Sequence, residues 1–266
     1  MNQTCRKAFI IGIDGAIGWS VQKAKTPNID RILADGVVTY SATTVLPSAS
    51  FEAWGAMLHG VGPEKHGLNG GQPCPEDTDW ASFMKVAKEQ NPDTKCASFC
   101  CWNPINTNII EQSIGCHMVN MPDPELAVAA AEYIRNDTPD IFFMHLDYID
   151  GAGHSHGYGT EKYFQQITAT DKLVGMVIDA IQDAGVFDES LIILLSDHGG
   201  VGTSHGSDAP DCMNIFWGCC GGGVNKGVEL ESELNIMDTA AVVAHALDMS
   251  APVGWDAKIP DGIFTK

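Results

Sequence analysis

Three short stretches of this chain collect carboxylates and imidazoles directly behind apolar runs. "SDHGGVGTSHGS" (196–207) carries Asp197, His198 and His205, "MHLDYIDGAGHSHG" (144–157) carries Asp147, Asp150, His154 and His156, and "IIGIDGAIG" (10–18) carries Asp14. Asp and His in such density are the donor set of a divalent cation, zinc above all. Asp150 and His154 lie four apart around Gly151 and Gly153, a spacing that predicts a tight loop folding both onto one ion. Asp197 and His198 are neighbours and His205 follows seven residues on, an arrangement that suits two ions better than one. Taken alone, Asp14 could equally cap the turn after its strand. The glycines of 196–207 do not make a phosphate loop, because no Lys-Ser or Lys-Thr pair occurs there, and Gly12, Gly15 and Gly18 are spaced by threes, not as G-x-G-x-x-G.

A nucleophile for such a centre comes from "TTVLPSASFEAWGAMLHGVGPEKHG" (43–67). Ser48 and Ser50 precede a helical pattern whose N-terminal N–H groups favour an anion, although either serine could simply cap that helix. Trp54, Trp102 and Tyr148 could stack a flat leaving group beside the metals, or belong to the core. His59, His66, His117, His145 and His245 read as structural histidines.

The elements that must position these groups alternate from end to end. "AFIIGI", "VVTYSATTVL", "TKCASFC", "CHMVN", "IFFMHLDYI", "SLIILLS" and "MNIFWGCC" read as strands. Between them run helical patterns. "TPNIDRILADG" has Thr26 as N-cap and Pro27 at its first position, and is followed by "SFEAWGAMLHG", "PELAVAAAEYIRND", a long helix over 161–184, and "NIMDTAAVVAHALDM". Alternation predicts a single α/β domain over 1–266, an α/β/α sandwich with a mostly parallel central sheet. Such sheets place their chemistry at the C-terminal ends of the strands, where the carboxylates fall. The Gly-, Pro- and acid-rich segment 68–79 is expected as a loop at the rim of the site.

Composition narrows the partners. A formal charge of −19, from 34 acidic and 15 basic residues, opposes nucleic-acid polymers and anionic membrane surfaces. The N-terminal stretch lacks the apolar segment of a signal peptide and no run is long enough for a membrane span, so a cytoplasmic protein is expected. Nine cysteines without a C-x-x-C read as reduced, mostly buried thiols, with a cysteine-built zinc site as the alternative. The sole arginines, Arg6, Arg31 and Arg135, are remote from every motif.

Asp14 in "IGIDGA", "TPNIDRILADG", the frame ending at His66-Gly67, "D-x-x-G-H" at 150–154 and "SDHGG…HG" occur in an order and spacing that resembles the alkaline phosphatase superfamily, in its type I phosphodiesterase/nucleotide pyrophosphatase branch. The resemblance implies an alkaline-phosphatase-like fold and two divalent ions, zinc with manganese or magnesium as alternatives. It implies that Asp14, Asp197 and His198 hold one ion, shared with the nucleophile, and that Asp150, His154 and His205 hold the other. Counting back ten residues from Gly60 makes Ser50 the nucleophile, with Ser48 as the fallback. Many relatives continue with x-Pro-Asn, where Phe51, Glu52 and Ala53 stand here, so the usual contact to a phosphoryl oxygen is missing and Asn69 or a backbone N–H is the substitute. The large insertions of extracellular relatives are also missing, which suggests a minimal catalytic domain.

The expected reaction is hydrolysis of small phosphodiesters or nucleotide-type pyrophosphate bonds through a phosphoseryl intermediate. A dianionic monoester normally wants an arginine fork, and none lies near the motifs. A formylglycine sulfatase needs x-Pro-x-Arg after its nucleophile, which is absent, and a phosphomutase usually adds a cap domain. Phosphomonoesterase, another phosphoryl or sulfuryl hydrolase, and a non-catalytic anion-binding relative are the alternatives.

Overall fold

The computed structural model describes residues 5–265. Its strands are β1 (Lys7–Ile13), β2 (Val37–Thr43), β3 (Cys96–Cys100), β4 (His117–Asn120), β5 (Ile141–Leu146), β6 (Ser190–Leu195), β7 (Asn214–Gly221) and β8 (Val228–Glu229). They form one sheet in the order β4-β3-β5-β1-β6-β7-β2-β8. Neighbours are parallel except at β7, which runs antiparallel to both β6 and β2. The helices are α1 (Gly18–Lys23), α2 (Pro27–Ala34), α3 (Ser50–His59), α4 (Pro63–His66), α5 (Phe83–Gln90), α6 (Asp123–Asp137), α7 (Tyr148–His156), α8 (Glu161–Asp183), α9 (Pro210–Met213) and α10 (Asp238–Ala246).

Period-2 alternation sorts the apolar strand residues to two faces. Ile10, Phe143 and Ile193 pack with α3, α5 and α10, while Phe9, Ile11, Phe142, Met144 and Leu194 pack with α2, α6 and α8. Both faces are covered, which is why these strands read as continuous apolar runs. The expected α/β/α sandwich is therefore the observed one. Among the described residues no helix is long and apolar enough to cross a membrane.

Two local expectations are corrected. Thr26 makes no side-chain cap; Asp171 of α8 instead accepts from the backbone N–H groups of Asn28 (3.0 Å) and Ile29 (2.9 Å). The segment around Asp150 is not a tight loop but the helix α7. Its first-turn N–H groups are capped from afar, since the buried carboxylate of Asp123 accepts from Asp147 N (2.9 Å) and Tyr148 N (2.9 Å). A side chain at Gly153 would run into the Tyr158 ring, so the glycine there serves close packing within a helix.

All nine cysteines are thiols, seven of them buried. Cys74 lies with His59 and Glu111 in a buried trio of possible ligands. Both Glu111 oxygens already accept from Ser82, and the His59 ring nitrogens face the carbonyls of Trp80 (2.5 Å) and Ile109 (3.1 Å). That trio is a hydrogen-bonded knot tying the end of α3 to the loop before α5.

Candidate metal centre and active site

Parallel register puts the three strand ends side by side. Ile13 pairs with Leu146 and Gly12 with Leu195, so Asp14, Asp147 and Asp197 emerge together from β1, β5 and β6. The turn after β1 is fixed by its neighbours: Gly15 N donates to Asp197 Oδ1 (3.1 Å), Ala16 N to Ser196 Oγ (2.9 Å), and Tyr163 Oη donates to Gly15 O (2.6 Å).

Asp14, Asp197 and His198 are buried, and their ligand atoms lie within 4.8 Å of one another. Each carboxylate has one oxygen saturated by protein donors and one left over. Asp14 Oδ2 accepts from His145 Nε2 (2.8 Å) and Trp54 Nε1 (3.2 Å), while Asp197 Oδ1 accepts from the N–H groups of Gly15 (3.1 Å) and His198 (2.8 Å). Asp14 Oδ1 and Asp197 Oδ2 are buried without a hydrogen-bond partner. Both of these oxygens face His198 Nε2, at 3.5 and 3.3 Å.

The histidines are oriented in a matching way. The Nδ1 atoms of His198, His205 and His154 lie 2.9, 3.0 and 2.9 Å from the carbonyl oxygens of Gly199, Ser48 and Thr203. A carbonyl only accepts, so Nδ1 carries the proton and all three Nε2 lone pairs are left for a ligand, as in imidazoles that bind a metal. On α7, Asp150 Oδ2 and His154 Nε2 are 3.1 Å apart. Asp150 also groups with His205 and His198, and the His198 and His205 rings stack with centroids 3.8 Å apart. His198 thus stands between the two expected ligand sets. His154 joins the second set through Asp150. His156, at the far end of α7, is exposed.

Burial and mutual repulsion disfavour the charged form of the clustered carboxylates. Burial lifts the Asp14 carboxyl well above the ordinary range, and the nearby Asp197 and Asp150 charges add to this against the opposing effect of His198. Burial likewise pushes Asp197 up to about 8 and Asp147 up to about 7. Among the described residues the only basic side chains within ion-pair distance of Asp14, Asp150 and Asp197 are histidines. Buried carboxylates so placed are stable as anions only when paired with a cation. The chemistry of the donors, three carboxylates and three outward-facing imidazole nitrogens, therefore fits divalent ions.

Ser50 and Ser48 separate cleanly. Ser50 Oγ, half-buried at the start of α3, lies 3.3 Å from His198 Nε2. Ser48 is fully buried, its Oγ donating to Ser207 O (2.7 Å) and accepting from Gly206 N (3.1 Å). Neither serine caps α3. Ser48 instead ties the His205 loop to the start of that helix.

The three proposed substrate contacts fare differently. Trp54 is fully buried, with its ring over Gly12, where any side chain would collide with it. It offers no face to a leaving group and serves Asp14 instead. Asn69 is exposed and its Oδ1 accepts from Gly71 N (3.1 Å), an engagement within its own turn. Trp102 is half-buried and meets Phe51, the residue after Ser50, edge-on at 4.6 Å, a neighbour the sequence reading passed over. The 68–79 loop starts at this rim, with Gly70 seated against the Phe51 ring. Ala53, at the position of the missing Asn, is buried, and its N–H is bonded to Ala49 O.

Residues 8–93 and 101–251 match the family model described as type I phosphodiesterase / nucleotide pyrophosphatase. The chain is 24% identical over 195 residues to mouse ectonucleotide pyrophosphatase/phosphodiesterase family member 1, covering 65% of this chain and 21% of that protein. It thus spans about a fifth of the length of that relative. The fold is similar to that of murine ectonucleotide pyrophosphatase / phosphodiesterase 5, with a TM-score of 0.79 at 14% identity, covering 97% of this chain and 100% of that one. An inactive variant of the same murine protein, in complex with AMP, matches with a TM-score of 0.76 at 14% identity over 92% of this chain and 96% of that one.

Proposed function

This chain belongs to the type I phosphodiesterase / nucleotide pyrophosphatase family, and we propose that it is a two-metal hydrolase of small phosphodiesters or nucleotide-type pyrophosphate bonds. The observation that carries this reading is the pair of buried, unpartnered oxygens Asp14 Oδ1 and Asp197 Oδ2 facing His198 Nε2, with Ser50 Oγ beside the same nitrogen. Asp14, Asp197 and His198 hold one ion in this reading and Asp150, His154 and His205 the other, with zinc the best match to the donors. Bound there, such ions would neutralise phosphoryl charge, lower the pKa of a hydroxyl and stabilise a departing oxygen.

The chain's own residues then have defined tasks. Ser50 Oγ attacks phosphorus in line with the leaving oxygen; the Oγ–P bond forms, the bond from phosphorus to the leaving oxygen breaks, and the proton given up by Ser50 passes through solvent to the departing oxygen. A water then cleaves the phosphoserine by the reverse path and restores the hydroxyl. The first turn of α3 presents N–H groups that a helix leaves without internal partners, and these take over the phosphoryl contact of the missing Asn. Phe51 and Trp102 border the leaving group. The AMP held by the murine relative is a small phosphoester of the kind proposed as ligand.

Diester preference follows from the cations. Arg6 pairs with Glu189, Arg31 with Asp179, Arg135 with Asp183, Lys65 with Asp256 and Lys226 with Asp35, all away from the centre. With no guanidinium beside the ions, the singly charged diester is the better fit. Turnover of monoester, diester and sulfate ester substrates sharing one leaving group tests this. Diester turnover exceeding both others is expected; a monoester preference would overturn it.

A further inference from the structure

His145, which the sequence gives no reason to single out, has the opposite tautomer to the three ligand histidines. The backbone N–H of Trp102 donates to its Nδ1 at 3.4 Å, so that nitrogen is unprotonated and the proton sits on Nε2, which donates to Asp14 Oδ2 at 2.8 Å. His145 is fully buried, the penultimate residue of β5, with the Trp54 ring edge-on at 5.4 Å. Asp14, His145 and Asp147 also gather within 4.8 Å, but with Nε2 protonated and Nδ1 accepting, His145 has no lone pair free to bind an ion.

We propose that His145 is a positioning residue that, together with the Trp54 indole, occupies Asp14 Oδ2 and so presents Oδ1 alone to the metal. Two donors on one carboxylate oxygen fix the rotation of the carboxylate and disfavour bidentate binding. The same histidine links the centre to the rim. Trp102 packs edge-on against Phe51, its N–H holds His145, and His145 holds Asp14.

The inference rests on the two-metal reading, and the test separates them. Metal-stripped wild type, His145→Asn, His145→Gln and Trp54→Phe are titrated with zinc against a chromogenic chelator, and thermal unfolding of each stripped form is recorded. A Gln amide nitrogen falls where Nε2 was and keeps the donor to Asp14, whereas an Asn amide falls where Nδ1 was and cannot reach. His145→Asn and Trp54→Phe are expected to weaken one of the two zinc ions by about 10–100-fold, with His145→Gln within about threefold of wild type. Wild type that binds no zinc contradicts the metal reading itself. Wild type that binds two ions, with His145→Asn or Trp54→Phe binding them equally tightly, overturns only the role of His145 and Trp54.

Discussion

Asp150 and His154 project from successive turns of α7 with Oδ2 and Nε2 3.1 Å apart, held from behind by the Tyr158 hydroxyl on Asp150 and by Thr203 O on His154. A helix is stiffer than a loop, so these two ligands of the proposed centre are held in place by the fold itself. His154→Ala is expected to reduce bound zinc from two ions per chain towards one and to lower turnover by roughly 10²-fold or more, with unfolding of the stripped protein little changed because His154 is largely exposed. Metal analysis on the purified variant checks it.

The two serines give opposite outcomes. Ser50→Ala removes the proposed nucleophile and is expected to cost at least about 10³-fold in turnover while zinc binding and stability stay close to wild type. Ser48→Ala leaves Gly206 N and Ser207 O without their buried partner and is expected to cost about 1–3 kcal/mol of stability, with activity reduced through the displaced His205 loop. Chemical denaturation and steady-state kinetics on both variants separate the roles.

Much of this architecture was legible from sequence. Strands buried on both faces announce themselves as apolar runs, and Asp14 and Asp197 stand directly behind two of them. The helix α7 was not legible, because Gly151 and Gly153 argue locally for a loop while the cap that starts the helix, Asp123, lies far away in sequence. Trp54 stayed open between stacking surface and core because spacing cannot distinguish a ring over Gly12 from one facing solvent. His145 had no motif. Its role comes from which nitrogen faces which partner, a relationship only the folded chain defines.

The rim aromatics should act on binding more than on chemistry. Trp102→Ala is expected to raise KM for an aromatic-leaving-group diester by about tenfold, the loss of roughly 1.4 kcal/mol of stacking. A smaller fall in kcat is expected, since the Trp102 N–H to His145 belongs to the backbone. Kinetics on aryl and alkyl diesters in parallel reveal it, because the alkyl substrate should be much less affected.

His66 provides the acid sensitivity of the α3–α4 corner. Its Nδ1 accepts from Leu68 N (3.0 Å) and its Nε2 faces Glu52 O (3.2 Å), an arrangement of the neutral ring. Burial, with His59 adding, lowers its pKa to about 4. Between about 6.5 and 4 the unfolded chain binds the proton and the folded one does not, so the stability this group contributes is present above 6.5 and lost as pH falls towards 4. Unfolding of His66→Gln and wild type across that range should show the variant losing less stability per pH unit, by up to about 1.4 kcal/mol.

The most direct measurement follows diester turnover while zinc is returned to the stripped protein and bound metal is counted. Turnover is predicted to be absent without metal and to rise to a plateau at two zinc ions per chain, with Ser50→Ala binding both ions and remaining inactive. Full turnover in the stripped protein, or a chain that takes up no zinc, would contradict the two-metal account.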